Sequence, residues 1–268
     1  MVTYDALVLS GGGIKGIGML GAVAALKKHN VLDTITTFVG VSVGSIVATI
    51  LAMKLDPRVV FDTHVLGFTY APDIDITRLD KTFGLDSGKY LEHWIAMMIP
   101  EMTFAEFHET YATTLVIVAT NLNTHGPKYL SHTTTPDMSV RLALRMSCSI
   151  PLYFSAIQYR GELYVDGGMS NNFPIEYPGA VLGSRRVLGI RFKASPRPPD
   201  HAWTLERFLG SLVESNVNRS TYAHVPSFVI ELDTHDVNPT NFKIKPKERI
   251  TLFQSGYTQT QLFIKKIM

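Results

Sequence analysis

The stretch FVGVSVGSIVATILAM, Phe38 to Met53, decides how this chain folds. Its first residues, with Thr37 before them, form a short apolar run, and Val43 to Lys54 carries apolar side chains with a helical period. Between the two lies Gly40-Val41-Ser42-Val43-Gly44, a G-x-S-x-G pentapeptide. A serine on a sharp strand-to-helix turn presents its hydroxyl at the N-terminal end of the helix, where unpaired N–H groups favour developing negative charge. Gly40 and Gly44 let the chain pack closely around it. The five letters alone also fit a structural glycine turn; the flanking strand and helix are what make Ser42 a candidate nucleophile.

Outward from this turn the alternation continues. Strand-like runs occur at 6–9, 37–40, 115–122, 186–192 and 228–232, and several are apolar on both faces, as strands covered by helices on each side require. Helical periods cover 18–28, 43–54, 91–99, 139–146 and 248–266, the last with apolar Ile250, Phe253, Tyr257 and Ile264. SPRPPD (195–200) reads as an irregular connection, since proline removes backbone donors. The pattern predicts an α/β fold, a three-layer α/β/α sandwich around a mainly parallel central sheet, as one domain over residues 1–268. With 46% hydrophobic and 18% charged residues, 268 residues suffice for one sizeable core. A formal charge of +2, without interleaved basic and aromatic residues, gives no reason to expect nucleic acid.

Two more motifs flank the serine. LVLSGGGIKG (Leu7–Gly16) places Gly11, Gly13 and Gly16 in a G-x-G-x-x-G spacing after a strand, with Asp33 about 20 residues on, as a dinucleotide site would have. A phosphate loop of the Gly-Lys-Ser/Thr type is excluded, because Ile17 follows Gly16. GELYVDGGMSNNFP (Gly161–Pro174) puts Asp166 at a strand end before Gly167 and Gly168, which by itself is an ordinary turn.

Glycine loop, elbow serine and strand-end Asp-Gly-Gly, in this order from Leu7 to about Pro174, resemble the patatin-like phospholipases. RMSCSIPLYF (145–154) is similar to the small-residue and proline stretch before the aspartate in that family. The resemblance implies a lipid acyl hydrolase of the phospholipase A type. Ser42 would be its nucleophile and Asp166 its base, in a dyad without histidine. The backbone N–H groups of Gly11, Gly12 and Gly13 would form the oxyanion hole. Lys15, where the family commonly has a basic residue, would steady the loop, meet a phosphate or be merely solvated. No metal or cofactor is implied. The expected partners are a phospholipid or related acyl-ester lipid and, transiently, a membrane surface.

Three alternatives stay open at this level. A Ser-Asp-His triad would draw on His201, His224 or His235. The chain would otherwise be a catalytically silent lipid-binding or scaffold protein, or a dinucleotide enzyme. Other features are weaker. YLEHWIAMMIP (90–100), with Trp94, Met97 and Met98, reads as a core helix or as a lid over lipid, and KIKPKER (243–249) as a solvated loop or a contact for anionic headgroups. The single cysteine, Cys148, excludes an internal disulfide, fits a cytoplasmic location and reads as buried and inert. No basic start with an apolar core marks a signal peptide, and the longest apolar run, Ser45–Met53, is far short of the roughly 18 residues that span a bilayer.

Overall fold

The computed structural model describes residues 3–184, 186–193, 228–234 and 237–267, with isolated residues 204, 208, 211 and 215. His201, His224, His235 and the stretch 195–200 lie outside the described residues. All five strand-like runs are strands: β1 (Ala6–Leu9), β2 (Thr37–Val41), β4 (Thr114–Asn121), β9 (Val187–Phe192) and β10 (Val229–Leu232). They lie side by side in the order β10-β9-β1-β2-β4, every pair parallel. Leu7, Leu9, Phe38, Leu115 and Ile117 project to one face, and Val8, Val39, Val41, Val116 and Val118 to the other. The period of two therefore feeds two cores, one on each side of the sheet. Each fully buried side chain of this size contributes about 1.5–3 kcal/mol.

The remaining strands are antiparallel, and they set the position of Asp166. Strand β5 (Gly126–Leu130) and strand β8 (Glu162–Asp166) both run against β4, and β7 (Ile157–Tyr159) pairs with β8. Ile117 is registered with Gly40 on one side and Leu130 on the other, while Ala119 is registered with Asp166 and Lys128. Strand β5 thus holds one edge of β4, and β2 and β8 share the opposite edge end to end. Val41 stands opposite Val118 and Asp166 opposite Ala119, the next position along. The residue after Val41 is Ser42. One strand edge therefore brings together two residues 124 positions apart in the chain.

One face of the sheet carries α1 (Gly16–Lys28), α2 (Val43–Ala52) and the C-terminal helix, here α9 (Pro246–Ile267). Helices α1 and α9 cross at near backbone contact: a Cβ on Gly256 would lie 1.8 Å from Gly18 O, and one on Gly21 2.0 Å from Phe253 O. On α9, Phe253 and Ile264 are buried as the period predicts, while Ile250 faces solvent. The other face is covered by Phe173, Ile175 and the short helix α8 (Tyr177–Leu182). Helix α4 (Lys89–Met98) and helix α6 (Val140–Ser147) match their periods to within two residues. Helix α5 (Phe104–Tyr111) has no counterpart in the periodicity, yet Thr103 and Glu106 form a capping box at its start, a signal present in the letters TFAE. Among the described residues no helix is long and apolar enough to cross a membrane.

Candidate active site

Ser42 caps the N-terminus of α2 in a left-handed conformation, with φ of 51° and ψ of −128°. For a residue with a Cβ this costs on the order of 1–3 kcal/mol, so the surroundings must impose it. Two kinds of contact do so. The Ser42 N–H donates to Ser147 Oγ at 2.8 Å, and Ser147 Oγ donates in turn to Val118 O at 2.6 Å, which ties the turn to β4. The glycines remove bulk where chains cross: a Cβ on Gly44 would lie 2.5 Å from Leu9 O and from Ser10 O, and one on Gly40 2.3 Å from Ser45 Cα. Ser42 is only 5% exposed.

Asp166 ends β8, is 3% exposed, and is held through both backbone and side chain. Its N–H donates to Ser149 O at 2.8 Å, and its Oδ1 accepts from Gly168 N–H at 2.8 Å. Gly167 lies against Val118, where a Cβ would come within 2.1 Å of the carbonyl oxygen. Oδ2 is buried with no hydrogen-bond partner. The Ser42 hydroxyl bears on the carboxyl closely enough to lower its pKa without making a well-formed bond to Oδ2. Burial is the larger influence and acts the other way, so the carboxyl is pushed up from 3.8 to about 6. A carboxylate this basic is a better proton acceptor near neutrality than an exposed aspartate.

The glycine loop closes over the same turn. A Cβ on Gly11 would lie 3.1 Å from Ser42 Cβ, and one on Gly16 2.1 Å from Val43 Cγ2. Gly13 has φ of 55°, and its Cβ would meet Pro239 O at 2.1 Å. The three N–H groups differ. Gly11 N–H donates to Asn172 O at 3.4 Å, whereas among the described residues no hydrogen bond is made by the N–H groups of Gly12 and Gly13. Lys15 is 6% exposed, so it is not merely solvated. Asp33 is exposed in the turn after α1, at the N-terminal end of β2. A ribose-binding acid belongs at the C-terminal end of that strand, and Ser42 follows β2 there.

Several residues of the site are not evident from the sequence. Ser147, 105 positions from Ser42, supplies the acceptor for its N–H. Asn172 binds Gly11 through both main chain and side chain. Arg145 is buried, paired with Glu92 at 3.2 Å, and donates to Ser149 Oγ at 2.6 Å, which anchors the segment that holds both Ser42 and Asp166. Cys148 lies between them, with its thiol pushed up by burial and by the Asp166 charge. Ser42 opens onto an apolar cavity whose walls include Ile46, Ile50, Phe68, Trp94, Cys148 and Phe154. Helix α4 packs into the core through Ile95 and Met98, while Trp94 lines the cavity with its indole N–H on His64 O at 2.8 Å and Met97 is exposed. Among the described residues no three His, Cys, Asp or Glu side chains converge as metal ligands.

A family model described as patatin-like phospholipase matches residues 7–178, from the first strand through the glycine loop, the elbow and the Asp-Gly-Gly turn. The chain belongs to this family. It is a lipid acyl hydrolase, and similar proteins extend the likeness beyond the matched segment. A probable lipid hydrolase of Invertebrate iridescent virus 6 is 27% identical over 278 residues, covering 98% of this chain and 90% of that protein. A human patatin-like phospholipase domain-containing protein is 27% identical over 69% of this chain and 72% of its own length. The crystal structure of VipD from Legionella pneumophila superposes with a TM-score of 0.69 at 19% identity, over 99% of this chain and 67% of that one, which shows a shared fold.

Proposed function

We propose that this patatin-like chain cleaves fatty-acyl esters of phospholipids or related lipids through a Ser42–Asp166 dyad and an acyl-enzyme. The observation that carries the reading is the shared strand edge of β4, which sets a buried, elevated carboxyl beside a serine held in the elbow conformation. Asp166 takes the hydroxyl proton as Ser42 Oγ attacks the ester carbon, and returns it to the departing alcohol. Water then attacks the acyl-Ser42 carbonyl, with Asp166 accepting its proton, and the fatty acid leaves as Ser42 regains its own. The N–H groups of Gly12 and Gly13 are the donors we assign to the oxyanion, and Gly11, committed to Asn172, shapes the loop. The apolar cavity beside Ser42 suits one acyl chain. Its supply from a bilayer calls for peripheral, transient membrane contact.

Hydrolysis of a phospholipid by Ser42→Ala, Asp166→Asn and the three variants His201→Ala, His224→Ala and His235→Ala tests the assignment. Ser42→Ala and Asp166→Asn should each lose at least a thousandfold in kcat, with the histidine variants near the unsubstituted rate. Loss in one histidine variant with activity retained in Asp166→Asn would establish the triad instead. Lipid binding without turnover in the unsubstituted protein would establish the silent scaffold.

A further inference from the structure

We infer that Arg249 recognises a phosphate at the cavity lined by Ser42, so that the hydrolase proposed above selects phosphate-bearing glycerolipids over neutral ones. Arg249 lines that cavity and is 6% exposed. Its Nη1 donates to Val65 O at 2.8 Å, to Leu66 O at 3.3 Å and to Phe68 O. Its Nε is buried without a partner. No carboxylate pairs with it among the described residues, and burial alone acts on its pKa, downward. Arg145 shows what a structural buried arginine looks like in the same molecule: burial lowers its pKa as well, but Glu92 at 3.2 Å opposes that shift. A buried guanidinium without a counter-ion is costly unless an anion arrives to pair with it.

The setting of Arg249 points to what that anion is. Lys247 and Arg249 stand in the first turn of α9, where the helix itself already presents positive charge, so these cations are on the unfavourable end of the helix. Lys243, Lys245 and Lys247 are exposed immediately beside it, and Phe242 lines the cavity. An apolar cavity with Arg249 in its wall complements a molecule that carries an acyl chain and a phosphate together. A guanidinium fork with free donors suits phosphate oxygens better than a single point charge does. The inference rests on the proposed function for its choice of a lipid rather than a free anion.

Binding to the Ser42→Ala protein, read without turnover, tests it. Calorimetric titration with 1-palmitoyl lysophosphatidate and with 1-palmitoylglycerol, both below their micellar concentrations, should show the phosphate lipid binding at least tenfold tighter. Inorganic phosphate alone should bind at least a hundredfold more weakly than the phosphate lipid; equal affinity would make this a site for free phosphate and overturn the lipid assignment. Adding Arg249→Gln should abolish the preference. If that variant does not fold, Arg249→Lys, which keeps a donor for the carbonyls of residues 65–68 but loses the fork, should cut the preference at least threefold. Equal affinity for the two lipids, or a preference that survives substitution of Arg249 in a folded protein, overturns the inference. Preference for the phosphate lipid in a protein that hydrolyses neither lipid would instead overturn the proposed function alone.

Discussion

Replacing Asp166 by asparagine should stabilise the protein, and the gain should grow with pH. In the folded state burial pushes the carboxyl from 3.8 up to about 6, so the folded chain holds its proton more tightly than the unfolded chain does. The sign follows from that inequality. The group's favourable contribution is complete below 3.8 and is lost as pH rises through about 6, because the unfolded state then releases the proton first. At 1.36 kcal/mol per pH unit the loss comes to about 3 kcal/mol by pH 7, with about 2 kcal/mol of it between pH 4.5 and 7.5. Asparagine cannot ionise, and its Oδ1 can still accept from Gly168 N–H. Urea unfolding of both proteins across that range, followed by tryptophan fluorescence, should therefore show stability curves that diverge with pH, the variant ahead at the alkaline end. In a chain of this length the full difference corresponds to roughly 6–12 °C in Tm. Parallel curves, or a variant that falls behind as pH rises, would show that Asp166 is not a buried, elevated carboxyl.

Other consequences of the geometry can be measured directly. Log kcat on a short-chain ester should rise with unit slope below about pH 6 and level off above it, since only the ionised Asp166 accepts a proton; a profile flat from pH 4.5 to 8 would remove Asp166 from the rate-limiting proton transfer. Ser147→Ala leaves the buried Ser42 N–H and Val118 O without their partner, which should cost about 1–3 kcal/mol of stability and lower kcat more than it raises KM, both readable from urea melts and steady-state kinetics. Gly44→Ala should fail to give a folded protein by circular dichroism, because its Cβ would lie 2.5 Å from two carbonyl oxygens of the β1 end. Gly12→Ala places a Cβ 2.3 Å from the Phe192 ring, so the loop donors are best examined with Phe192→Ala added. If kcat stays low in the double variant the loss belongs to the oxyanion donors, and recovery would assign it to the clash.

The parallel half of the fold was legible because β1, β2, β4, β9 and β10 are mostly buried and read as apolar runs, interrupted by a charge only at Arg191 in β9 and Glu231 in β10. Of the antiparallel strands, only β8, which ends at Asp166, was. Strand β5 is GPKYL, with Pro127 and Lys128 exposed, and β7 has three residues with Gln158 exposed, so neither has the apolar signature of a core strand. The same division applies to the site. Ser42, Asp166 and the glycines stand in local motifs whose spacing is visible in the letters. Ser147, Asn172, Phe192 and Arg249 act through contacts made across the fold: 105 residues separate Ser147 from Ser42, and 161 separate Asn172 from Gly11. No local pattern encodes such a pairing. Arg249 carried a faint signal, since cations in the first turn of a helix run against its dipole.

The central claim is that Ser42 is the activated nucleophile of this patatin-like chain, and covalent labelling tests it most directly. A fluorophosphonate reacts with a serine hydroxyl whose proton is taken by a neighbouring base, and traps it as a stable phosphonyl ester. Digestion and mass spectrometry should place the adduct on Ser42, with labelling lost in Ser42→Ala and at least a hundredfold slower in Asp166→Asn. An adduct on another serine, or no adduct in a preparation that hydrolyses phospholipid, would contradict the account.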